Sequence, residues 1–158
     1  MLQRNMWIII LIFGCLLPGC SSPRQQAVRA EAQKVAEHLP QVEGFDVVTK
    51  LDTAFASDET GRSCYVGRAW VVFGTHMPVQ QALNRYAGVL QAGGFQLETD
   101  QLDLSRGMTR GLHERIVIGA FGPVETFRNN PEYAAAEQKY QTVITVRIDY
   151  IVPSRDEC

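Results

Sequence analysis

After residue 25 the chain alternates between two rhythms of apolar and polar residues. Val28, Ala32, Val35 and Leu39 recur at helical spacing with Arg29, Glu31, Lys34 and Glu37 between them, and Pro40 ends that helix. Phe45, Val47, Thr49 and Leu51 then alternate with Asp46, Val48, Lys50 and Asp52, the period of a half-buried strand. The stretch from Ala56 to Arg62 reads as a polar loop carrying Asp58 and Glu59. From Cys64 to Phe73 a second strand has bulk on both faces: Tyr65, Ala69, Val71 and Phe73 against Val66, Arg68, Trp70 and Val72. Apolar bulk on both sides is the mark of a central strand.

Pro78 suits the first turn of a helix whose stripe is Val79, Leu83, Tyr86 and Leu90. Gly93-Gly94 stops it, one glycine being left-handed, and Phe95 and Leu97 open a third strand. Strand, helix and strand in this order predict a crossover joining strands of the same direction. The third strand is expected to reach about Leu104, turn through Arg106 to Gly111, and return as a fourth strand from Arg115 to Phe121. Asn130 is placed to cap a short helix running from Pro131 through Gln138. In the last strand Thr142, Ile144, Val146, Ile148, Tyr150 and Val152 share one face, and Gln141, Thr145, Arg147 and Asp149 lie on a wet one. The sum is an α+β fold: a two-layer sandwich with a mostly antiparallel sheet of about five strands and helices on one face, in a single domain over 26–158.

The residues before this domain have a different layout. Arg4 precedes an uncharged apolar run from Met6 to Leu17, shorter than the roughly 18 residues a membrane span needs, and Pro18-Gly19 follows. Leu17-Pro18-Gly19-Cys20 resembles the lipobox of bacterial lipoproteins, although Pro18 stands where such boxes usually carry a small or aliphatic residue. Ile12-Phe13-Gly14-Cys15 offers a rival box, but it would leave a greasy mature start, whereas Ser21-Ser22-Pro23-Arg24 makes a polar one. The resemblance implies a signal peptide over 1–19, lipidation of Cys20 with palmitate-type acyl chains, and a short tether over 20–25. It therefore implies an extracytoplasmic protein of the cell envelope, anchored to the cell membrane or outer membrane. Several acyl chains together hold a protein far longer than a single one.

Composition narrows the picture further. Without the leader, 14 basic residues face 17 acidic ones, a net charge of about −3 that argues against nucleic acid as a partner. The values of 46% hydrophobic and 20% charged residues are those of a globular domain. With Cys15 removed and Cys20 acylated, Cys64 and Cys158 remain, and an oxidising compartment favours a disulfide between them. The closed loop would span 95 residues. If the second and last strands are antiparallel neighbours, the two sulfurs come together.

Candidate chemistry is thin, and neither a catalytic residue nor a metal or other cofactor is assigned. No Gly-x-Ser-x-Gly, Ser-x-x-Lys, His-Glu-x-x-His or Cys-x-x-Cys occurs, and His38, His76 and His113 are scattered. His113 and Glu114 are neighbours on a predicted strand and would point to opposite faces. Asp100 and Asp103 lack the oxygen spacing of a calcium loop. Arg68 and Trp70 form a possible interaction patch if the helices leave their face open; if the first helix or a loop covers it, Trp70 is ordinary core. The expected function is a non-catalytic module binding another, unidentified envelope protein. The alternative is a small ligand-binding protein or hydrolase with a pocket near His76 and the Asp58-Glu59 loop.

Overall fold

The computed structural model describes residues 23–57, 64–98, 103–120, 127 and 129–153. In chain order these form α1 (Pro23–Glu37), β1 (Asp46–Ser57), β2 (Cys64–Thr75), α2 (Val79–Ala92), β3 (Gln96–Leu97), β4 (Ser105–Arg110), β5 (Glu114–Gly119), α3 (Pro131–Lys139) and β6 (Thr142–Pro153). The six strands make one antiparallel sheet in the order β1-β2-β6-β5-β4-β3. The α+β class holds, with one strand more than the periodicity predicts.

The helix ends follow the local chemistry. The Asn130 side chain accepts hydrogen bonds from the Glu132 and Tyr133 amides at 2.8 and 3.1 Å, satisfying two of the first-turn donors that a helix leaves unpaired. Gly94 adopts φ +91°, which lets the chain reverse after α2. The Gly93, Gly94 and Phe95 amides then close onto the carbonyls of Val89, Gln91 and Leu90.

The main core lies between the sheet and the helices α1 and α2. Ala69, Val71 and Phe73 of β2, Ile144, Val146 and Ile148 of β6, Ile116 and Ile118 of β5, and Met108 of β4 meet Ala32 of α1 and Leu83, Tyr86 and Leu90 of α2. Burying each of the larger of these side chains contributes roughly 1.5–3 kcal/mol before ordering costs. Tyr86 is fully buried, and burial pushes its phenol well above the ordinary value. Gly67 lets α1 lie directly on β2, since a Cβ there would overlap the Val28 carbonyl.

Three expectations need correction. The helices are not all on one face, because Tyr133 of α3 packs with Phe127 against Trp70 and Val72 on the opposite side. The predicted turn from Arg106 to Gly111 is mostly strand: β4 pairs with β5 from Ser105↔Gly119 to Arg110↔Glu114, and the true turn is Gly111 to His113. Its single large apolar residue, Met108, points into the core, while Gly107 and two arginines obscure the alternation. The far face of β6 is wet only in part, since Thr145 and Asp149 are buried while Gln141 is exposed and Arg147 half-buried. The crossover does join strands of one direction, but β6, β5 and β4 stand between β2 and β3.

Candidate functional site

The second face of the sheet divides into an apolar half and a charged half. In the apolar half the rings of Trp70 and Phe127 meet edge to face with centroids 6.1 Å apart, and Phe127 stacks on Tyr133 at 5.7 Å. Thr145 is buried beside Tyr133, whose phenol is raised by burial and by the Glu137 charge, while its bond to Thr145 pulls the other way.

The charged half follows from strand register. Cross-strand pairing aligns Arg68 with Asp149 and Asp149 with Arg115; one step along, it aligns Trp70 with Arg147 and Arg147 with Val117. Directly opposed residues on neighbouring strands share a face, so these side chains form two adjacent rows. Arg68 Nε donates to Asp149 Oδ1 at 2.6 Å. Arg115 clasps Glu98 with two hydrogen bonds of 2.7 and 2.9 Å, a fork geometry specific to arginine and carboxylate. That pair holds the Glu98 carboxyl below its usual range and the Arg115 guanidinium above its own. Glu98 reaches across because Gly107 has no side chain; a Cβ there would meet its carboxylate.

Arg147 lies between Trp70 and Asp149. Its guanidinium sits 5.8 Å from the centre of the Trp70 ring, and its Nε lies 3.0 Å from Asp149 Oδ2. The nitrogen is buried, and among the described residues it meets no well-aligned hydrogen-bond acceptor. Burial lowers the Arg147 pKa; Asp149 opposes this, and the charges of Arg68 and Arg115 add to it. Among the described residues Arg68 and Arg147 both lie against Asp149, and Arg115 lies against Glu98.

The expected patch is therefore split. Arg68 lies in the charged half, but Trp70 is 9% exposed beneath α3 and Phe127 and serves as a wall behind Arg147. Arg147, Asp149, Arg115 and Glu98 were not expected as a group. The only signal for them was an arginine and an aspartate two apart on one face of a long strand. Leu112, in the β4–β5 turn, is 94% exposed.

The other sequence candidates do not converge. His76 is exposed with its ring against Tyr140 at 5.4 Å. The Tyr140 hydroxyl donates to Asp46 at 2.7 Å and accepts from Lys139 at 2.6 Å, on the rim of an open groove of about 710 Å³ floored by Val42, Phe45 and Phe73. His113 is in the turn before β5, with Nδ1 donating to the Ile151 carbonyl at 2.8 Å. Among the described residues no three histidine, cysteine, aspartate or glutamate side chains gather as a metal site requires. Cys64 starts β2 opposite Pro153 of β6, so the predicted antiparallel neighbours are observed. Cys20, Cys158, the Asp58-Glu59 pair and Asp100 lie outside the described residues. In comparison with protein families, curated proteins and solved structures, the chain matches none.

Proposed function

We propose that the chain is an extracytoplasmic lipoprotein, held to the cell membrane or outer membrane through lipidated Cys20, that works without catalysis as a protein-interaction module. The docking surface is the charged half of the second sheet face. What supports this reading is the unequal cover of that face: α3 and Phe127 close over Trp70 and Val72, whereas Arg115 keeps 41% and Arg147 28% of its side-chain surface exposed. Arginines backed by an aromatic and set in a partly desolvated surface are the usual anchors of interfaces.

In-cell photocrosslinking tests it. A crosslinking residue in place of Val117 captures one dominant envelope protein, and the same residue at Leu112 does not. Equal capture at both positions, or none at Val117, sinks the docking face. The anchor is checked separately: Cys20→Ala moves the protein from the membrane fraction to the soluble fraction, and unchanged fractionation removes lipidation at that residue.

A further inference from the structure

We infer that the β4–β5 turn is a second membrane contact, with Leu112 entering the headgroup and upper acyl region of the bilayer that holds Cys20. The inference rests on the lipid anchor proposed above and extends it from one covalent attachment to an oriented surface. A single exposed leucine is ordinary on a protein. Leu112 is set apart by its degree of exposure, its turn and its level in the fold. It is 94% exposed, against 46% for Leu104 at the other end of β4. Gly111 reverses the chain at φ +62°, and the places in such a turn usually go to glycine, asparagine, aspartate or serine, not leucine.

The level follows from hydrogen bonds and register. The His113 carbonyl accepts from the Ile151 amide at 2.8 Å, and the neighbouring Val152 is paired with Tyr65. Arg24, in the first turn of α1, lies 5.8 Å from the centre of that same Tyr65 ring. The turn and the start of α1 therefore stand at one end of the sheet and at one height. Sideways, only β6 separates β5 from β2, a spacing of about 10 Å. Cys20 precedes Pro23, the first residue of α1, by three positions, a reach of at most about 11 Å.

A lipid on Cys20 thus brings this end of the sheet, and Leu112 with it, to the bilayer. One leucine alone holds a membrane weakly, but a tethered one meets it at high effective concentration. Half-buried Tyr65 at the same end offers the apolar ring and polar tip that suit the headgroup boundary. With this end down, the strands rise from the bilayer and the charged half of the second face opens sideways.

The mature protein, purified from cells in detergent and reconstituted into phosphatidylcholine vesicles, is tested with a phospholipid carrying a photoreactive diazirine high in its acyl chain. Adducts are mapped by mass spectrometry, and attachment is read separately by flotation with the vesicles. The protein floats, adducts concentrate on Leu112, and Leu104 carries at least about tenfold fewer. Leu112→Asp still floats and keeps the native thermal midpoint, because the side chain it replaces is exposed. Its turn adducts fall by about tenfold.

A floating protein with no adduct at the turn, equal adducts at Leu104 and Leu112, or undiminished turn adducts in Leu112→Asp each overturns the contact and leaves the anchor standing. Capture of one dominant protein from position 112 in cells overturns it as well. Adducts at Leu112 on a protein that does not float leave the contact and remove the anchor. Neither flotation nor adducts overturns both.

Discussion

At the scale of single residues, Gly67 and Gly88 show how differently one atom type can matter. Gly67 is buried on β2, and a methyl group there would meet the Val28 carbonyl and the Arg29 amide, which are backbone atoms of α1 and have little room to yield. Gly88 is exposed on α2 with nothing within 4 Å of where its Cβ would stand. Gly67→Ala is expected to cost about 1–3 kcal/mol, the usual penalty of overpacking. Gly88→Ala is expected to stabilise by about 0.5–1 kcal/mol through helix propensity. Urea unfolding of the two variants checks both, and a reversed order would show that α1 is not seated on β2. Neither role is legible in the sequence, where Gly67 is one more residue of a strand and Gly88 an ordinary interruption of a helix.

At the scale of elements, α3 has a role out of proportion to its nine residues. It closes half of the second face, and its buried Tyr133 joins Phe127 in covering Trp70. Tyr133→Ala should cost about 3–5 kcal/mol, as large aromatic truncations do, and shift Trp70 emission to the red. An unshifted emission would mean that Trp70 is covered by something else. The cap and start of this helix are plain in Asn130-Pro131, as the end of α2 is in Gly93-Gly94, because caps and stops are local backbone chemistry. Its place on the far side of the sheet is not, since a helix with only Tyr133 and Ala136 buried carries little pattern to show which layer it joins. The same limit hides the charged half. Arg147 and Asp149 read as solvated positions until register sets β5 and β2 on either side of them. β4 escaped notice because Gly107, which makes room for Glu98, also breaks the alternation that marks a strand.

At the scale of the whole molecule, β2 and β6 form the spine, each hydrogen-bonded to a strand on both sides. Cys64 begins one and stands opposite Pro153 near the end of the other, with Cys158 five residues further along the sequence. A Cys64–Cys158 disulfide would therefore clamp the spine at one end. Intact mass with thiol alkylation is expected to show no free thiol before reduction, and Cys158→Ser should lower stability by up to about 4 kcal/mol. Two alkylated thiols without reduction would exclude the bridge. The seating of α1 has a mechanical consequence too. Arg24 lies over Tyr65, Val28 over Gly67, and the segment after the helix places Phe45 against Phe73, so α1 runs alongside β2 in the same direction. A pull on a chain anchored at Cys20 would thus enter at the tethered end of α1 and slide the helix along an interior strand, instead of peeling an outer strand from the edge. Sliding loads every contact beneath the helix at once, whereas peeling breaks them singly, so a partner held on the far face could be tugged from the membrane before the domain that holds it came apart.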